Sequence, residues 1–262
     1  MPTPFMHLHM AEQIRTAAES RYGRDGRLPL LLAQSWPAFY LGSVAPDCQD
    51  LAGIPRTATH FYNIPPDPDN QAYPRMLAAY PELADPAHMP LDQAIFVAAY
   101  SIHLMVDLVW FREVLLPFFV NRPDWRDGYE RRHLVHNIVL TYLDHQAYEA
   151  LPATAVSTLA AANPRHWLPF VGDDALCQWR DRLVAQLQPD GDLETIAIYA
   201  QRLRMSPAEF AASLQDAAWM ADHVFNVVPI ADVQARLDAA LTAGLDMMVH
   251  YMAHYLNVTN TA

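Results

Sequence analysis

The chain has 262 residues, 52% of them hydrophobic and 18% charged, with a formal net charge of −12. That balance is globular rather than disordered, and the length allows one large domain or two smaller ones. The negative charge disfavours nucleic-acid polymers and anionic membrane surfaces as partners. The two cysteines, Cys48 and Cys177, exclude a disulfide framework and a Cys-x-x-Cys metal pair. Residues 1–10 show no basic segment followed by an apolar run, so no signal peptide is expected and a cytoplasmic, reduced setting is the simplest reading.

Residues 5–22 are rich in Ala, Met, Glu and Gln and run up to Gly23 and Gly26, which predicts a first helix. Residues 28–91 differ. They hold many of the 21 prolines, among them Pro55, Pro65, Pro66, Pro68 and Pro74, and read as a long irregular segment. A segment of that kind inside a compact domain is expected to be functional. Residues 93–119 form the longest apolar stretch and predict one helix that Pro117 should kink or end. The stretch is long enough to span a membrane. With His103 and Asp107 near its centre and Arg112 and Glu113 soon after, it is expected to be a core helix instead, because charged groups are costly in lipid.

A third long helix is expected over 129–150, stopping before Pro152. Residues 173–188 place Leu176, Trp179, Leu183 and Leu187 at steps of three and four, a helical stripe, and 193–204 continue in that style. Ser206-Pro207-Ala208-Glu209 reads as a capping-box start with proline at the first helical position. Residues 230–256 give the last helix. No run alternates with a period of two between turn signals, so the fold class is all-α. Residues 1–150 are expected to form a metal-binding core, with 151–262 a helical extension packed on it as one continuous domain.

His103 and Asp107 are one helical turn apart and share a face. An imidazole and a carboxylate inside an apolar helix are expensive unless they are paired or bind a metal. Asp47, following Pro46, and His60, preceding Phe61, lie upstream, and a His7/His9 pair lies near the start. Nitrogen and carboxylate donors drawn from four separate segments suit a zinc or multi-metal site. Bland readings stand beside this one. His103 and Asp107 also fit a buried hydrogen-bonded pair, Asp47 an Asx-turn residue, and His60 a packed loop histidine. Of His7 and His9, only one points inward easily.

Four short motifs occur in order: Pro4-Phe5-Met6-His7-Leu8, Leu41-Gly42-Ser43-Val44-Ala45-Pro46-Asp47, Arg56-Thr57-Ala58-Thr59-His60-Phe61 and His103-Leu104-Met105-Val106-Asp107. Together they resemble the zinc-dependent phospholipase C family, which is related to the fungal single-strand nucleases. The resemblance covers roughly residues 1–150. It implies an all-helical fold around one to three zinc ions that hydrolyses phosphate esters, with His7, Asp47, His60, His103 and Asp107 as ligand positions. Asp47 is the implied catalytic carboxylate, orienting water or taking its proton.

The chain departs from that pattern in places. Glu113 stands where the family has a histidine six residues after the aspartate, and can ligate through oxygen. The family's His-x-x-x-Glu or His-x-x-x-Asp pair on the next helix has one literal match, His145–Glu149, and a rival, His136 with Asp144, two turns apart on one face. The family's zinc ligand at a mature N-terminal residue is not carried over, since no cleavable leader is apparent.

The chemistry expected from this ligand set is hydrolysis by metal-activated water. The expected substrate is a small phosphate ester or phospholipid, with no nucleic-acid polymer and no transmembrane segment. A nuclease or nucleotidase on the same site, and a non-catalytic helical protein with a structural metal, are the alternatives. With 8 glycines, no phosphate-binding or dinucleotide-binding glycine motif competes. His250 and His254, with Asp246 a turn earlier, have metal-pair spacing but no supporting motif, and are expected to face solvent or the core. His133 and His145 fit a solvated helix face.

Overall fold

The computed structural model describes residues 1–125, 128–191 and 193–256. Helix makes up 74% of the described residues, which contain no strand. Helix α1 (Pro4–Tyr22) starts where Thr3 caps the Met6 N–H and proline takes the first helical position. It stops at Gly23, whose positive φ of 75° is inaccessible to most residues. Two short helices follow, α2 (Arg27–Gln34) and α3 (Trp36–Val44).

The segment expected to be irregular is instead chopped into short helical pieces. After α3 come a 3₁₀ turn at Ala45–Cys48, α4 (Gln49–Ala52), α5 (Arg56–His60), α6 (Ala72–Ala79) and 3₁₀ turns at Pro81–Leu83 and Pro86–His88. The prolines explain the correction. Pro37, Pro46, Pro81 and Pro86 occupy the first turns of helical pieces, where a missing N–H costs nothing, so they start elements as well as stop them.

Helix α7 (Leu91–Val109) is the axis of the molecule, and nearly every side chain from Ala94 to Leu108 is buried. Helix α3 lies along it at close range. A Cβ at Gly42 would sit 2.4 Å from the Phe96 carbonyl oxygen and 2.9 Å from the Ala99 Cβ, so only glycine permits this approach. Pro117 does not end the helix at once. The chain continues from α7 as a π-helix over Trp110–Val120 with Pro117 inside. There Asn121 N–H bonds the Leu116 carbonyl, five residues back, a wider turn than the α-helical register in which proline would clash with the preceding turn. The Leu91–Val120 helix is the one described helix long and apolar enough to cross a membrane, and 89% of its apolar window is buried inside the fold.

Helix α8 (Tyr129–Glu149) packs on α1, and α9 (Ala155–Ala160) packs between α3 and α10 (Asp173–Leu187). Helix α11 (Glu194–Leu203) leans on α8, followed by α12 (Pro207–Gln215), which carries both bonds of the expected capping box. Helix α13 (Ala217–Met220) runs into a π turn at Ala221–Phe225, and α14 (Ile230–Tyr251) covers α7 and α1. Residues after 150 therefore share one core with those before it, a single helical domain.

Candidate metal centre

Four segments meet at the C-terminal half of α7. His7 comes from the second turn of α1, Asp47 from the 3₁₀ turn after α3, His60 from the end of α5, and His103 with Asp107 from α7. His7, His60, His103 and Asp107 are all buried, and Asp47 has a quarter of its side chain exposed.

Backbone contacts set these positions. Tyr100 on α7 donates to the Thr59 carbonyl at 2.7 Å, which pins α5 against the central helix. Trp179 on α10 donates to the Val44 carbonyl at 2.8 Å, just before the turn that carries Asp47. Phe61 follows His60 in the left-handed region at φ 60°, an unfavourable conformation for an aromatic residue that ends α5 directly behind the histidine.

The histidines are oriented from behind. His103 Nδ1 lies 2.8 Å from the Ser43 carbonyl, so it carries the proton and leaves the Nε2 lone pair free. His60 Nδ1 lies 2.9 Å from Thr59 Oγ1, which itself donates to the Arg56 carbonyl, so His60 also donates from Nδ1 and keeps Nε2 bare. This is how metal-ligating histidines are held. His7 stacks on His103 with ring centroids 3.7 Å apart and planes inclined by 15°.

Nε2 of His7, His60 and His103 and Oδ1 of Asp107 are buried without a hydrogen-bond partner. Such atoms are costly to leave unmet. They face one another. His7 Nε2 lies 3.5 Å from Asp107 Oδ1, His60 Nε2 3.4 Å from Asp47 Oδ1 and 3.6 Å from Asp107 Oδ2, and His103 Nε2 3.9 Å from Asp107 Oδ2. Donors about 2.0–2.1 Å from a tetrahedral ion sit about 3.4 Å apart, so these separations suit a common cation better than direct bonds. Two groups could each hold an ion, His7/His103/Asp107 and Asp47/His60/His103. One imidazole nitrogen serves one ion, so His103 completes only one of the two groups at a time.

Electrostatics keep the donors ready. Burial, with His7 alongside, pushes His103 down to about 3, so its ring stays neutral. Burial alone would raise the Asp107 and Asp47 carboxyls, but the surrounding imidazoles hold both below the usual carboxylate range. Asp107 Oδ2 also accepts from Arg56 Nη2 at 2.7 Å and from the Tyr62 hydroxyl at 2.9 Å.

Three expected ligands stand elsewhere. Glu113 is half exposed and lies 3.7 Å from Arg236, since six residues of helix carry it off the Asp107 face. His136 accepts from the Trp110 indole N–H at 3.3 Å and sits edge-on to Phe119. Asp144 accepts from Thr3 and Thr195, the latter at 2.5 Å. The literal alternative, His145–Glu149, is a surface pair with both side chains about two-thirds exposed. His9 points away from the centre into a small cavity between α1 and α8. His250 and His254 are exposed, as expected, and Asp246 pairs with Arg21.

Arg56 and Tyr62 went unassigned in the sequence, yet both touch Asp107. The available signal was spacing, since Arg56 precedes His60 by one helical turn on α5. The centre opens through Asp47 and Arg56 into a cleft of about 450 Å³, whose far wall is α10 and α11. Comparison of the chain with family models, curated proteins and solved structures finds no match.

Proposed function

We propose that this protein is a metal-dependent hydrolase of phosphate esters, a phospholipase C-like phosphodiesterase of the phospholipase C and single-strand nuclease fold type, with zinc as its metal. The observation that carries the reading is the convergence of three bare imidazole nitrogens and one bare carboxylate oxygen, all buried, with His103 and His60 oriented by hydrogen bonds from behind. His and carboxylate donors without cysteine fit zinc. The four ordered motifs around those donors supply the reaction class.

His7, Asp47, His60, His103 and Asp107 would hold the ions. When bound, divalent cations there supply activation of water and neutralisation of phosphoryl charge. Asp47 is the one ligand candidate exposed to the cleft, so its carboxylate is placed to accept a proton from a nucleophile arriving there. The cleft volume suits a head-group-sized ester rather than a polymer strand, and the −12 charge favours the same choice.

Turnover of an aryl phosphodiester and of phospholipid by the zinc-loaded chain, with and without chelator, tests the reading. Chelation should abolish hydrolysis and zinc restore it. Asp47→Asn should lower kcat by at least about 100-fold, in the range of a lost general base, while His250→Ala stays near wild type. A zinc-loaded chain that hydrolyses neither substrate overturns the hydrolase reading.

A further inference from the structure

The far wall of the cleft carries donors that the metal centre does not use. Tyr199 and Arg202 lie one turn apart on α11, and both line the cleft. Tyr199 is only 6% exposed, yet its hydroxyl makes no hydrogen bond among the described residues and is not sealed from solvent. Burial pushes that hydroxyl up, so it keeps its proton and stands as a donor. Arg202 is exposed and lies over the Tyr199 ring at 5.0 Å from the centroid, and no carboxylate pairs with it among the described residues. The other two cleft arginines are engaged. Arg56 donates to Asp107 and Tyr62, and Arg182 donates to Glu194 from Nε at 2.9 Å and from Nη2.

The two walls therefore differ in what they leave unanswered. The metal side presents the carboxylates of Asp47 and Asp50. The α11 side presents a cation and a hydroxyl donor, because Glu194 is held by Arg182. On the phosphoesterase reading the scissile phosphoryl group belongs on the metal side, and the rest of the ester meets α11. A quaternary ammonium group is recognised by open aromatic faces. Here a guanidinium already lies over each far-wall ring, Arg202 over Tyr199 and Arg182 over Trp179, the latter at 5.9 Å from the centroid. A cationic head group would meet arginine where it needs a π face. An anionic group finds the opposite, a free guanidinium and a free hydroxyl side by side, the setting for charge-assisted hydrogen bonds.

We propose that the α11 wall is a head-group subsite, in which Arg202 and the Tyr199 hydroxyl hold a second anionic group, phosphate or carboxylate, on the ester whose phosphodiester lies at the metal centre. This names the substrate class of the proposed hydrolase and rests on that reading.

The test uses the full chain loaded with zinc and a series of p-nitrophenyl phosphodiesters. They share the leaving group, and the second arm ends in phosphate, carboxylate, carboxamide or trimethylammonium. For wild type, KM should be lowest for the two anionic arms, at least about tenfold below the carboxamide, as one hydrogen bond to a charged group provides. It should be highest for trimethylammonium. Phosphate against carboxylate shows which anion fits better. Arg202→Gln should keep its zinc and lose the anionic preference. Arg202→Lys should retain part of it, and Arg202→Glu should reverse it toward trimethylammonium. Tyr199→Phe should narrow it less than Arg202→Gln does. Calorimetric titration with non-hydrolysable phosphonate counterparts of the carboxylate and carboxamide esters reads the same preference as a ratio of Kd, without turnover.

Equal KM across the four arms, a wild-type preference for trimethylammonium, or an anionic preference unchanged in zinc-replete Arg202→Gln overturns the subsite and leaves the hydrolase reading in place. An Arg202-dependent preference among the phosphonates, with no ester turned over, supports the subsite and overturns only the hydrolase reading. A wild-type chain that takes up no zinc overturns both.

Discussion

Two histidine–carboxylate sets lie within this fold, one buried and one with its histidine half-buried, and they are built to opposite rules. Around His103 and Asp107, three imidazole nitrogens and Asp107 Oδ1 have no protein partner, while hydrogen bonds behind the His60 and His103 rings and onto Asp107 Oδ2 fix orientation. On α8, His136 and Asp144 face protein donors, with Trp110 on the imidazole and Thr3 and Thr195 on the carboxylate. Residue types are the same in both, and the carboxylates of Asp107 and Asp144 are equally buried. What separates a metal centre from a polar core contact is whether the inward lone pairs are already spoken for.

The largest expected effect follows directly. Loss of a residue that merely orients a ligand typically costs 10–100-fold in metal affinity, so His103→Ala or Asp107→Ala should lower bound zinc at least about tenfold. Asp144→Asn should leave it unchanged. Elemental analysis of the three purified variants decides this. Equal zinc in all three erases the distinction between the two sets.

Removal of the metal sharpens the comparison in energetic terms. An ion that binds only the folded state at 100 times its Kd contributes about 2.7 kcal/mol, and for a domain of this size each kcal/mol moves Tm by about 2–4 °C. Scanning calorimetry should therefore show the wild-type midpoint rising by roughly 5–10 °C on zinc addition. The His103→Ala midpoint should hardly move. A wild-type midpoint indifferent to zinc would mean that the bare nitrogens tolerate their isolation.

The two sets also differ in how much of them could be read from the sequence. His103 and Asp107 were legible because one local fact, helical spacing inside an apolar run, places both on one face. Asp47 and His60 stood out through short motifs in a proline-rich stretch. The α8 pair has an equally good local pattern, but its partners are far away in sequence, Thr3 by 141 residues and Thr195 by 51. Nothing local says that those hydroxyls close the site. Glu113 failed for a different reason. Six residues of helix carry it about 240° round from Asp107, off that face, and it meets Arg236 instead. The all-helical class was plain from periodicity. The short helices between Arg27 and Ala79 were not, because proline marks helix starts and loop interiors alike.

The smallest predicted effect concerns stability and pH at the satisfied set. Burial pushes the Asp144 carboxyl up to about 6, against an ordinary value of 3.8, and the hydrogen bonds from Thr195 and Thr3 offset only part of that rise. A folded-state value raised in this way means that the folded protein prefers the protonated acid. The stabilising contribution is complete below about pH 4 and is lost as pH rises through about 6. At neutral pH the carboxylate is ionised in both states, and the folded protein bears the desolvation of a charge that two hydroxyls incompletely repair. Asparagine is neutral throughout, can accept from one threonine and donate to the other, and has no such dependence. Urea unfolding of wild type and Asp144→Asn at pH 4.5 and pH 7.5 should show the variant gaining on wild type by about 2 kcal/mol across that interval. The difference between the two proteins isolates Asp144 from the other groups that titrate in this range, because those are common to both. A gap that stays constant with pH would mean that Thr3 and Thr195 stabilise the anion fully, and the α8 set would then be an ordinary buried carboxylate held by its hydrogen bonds.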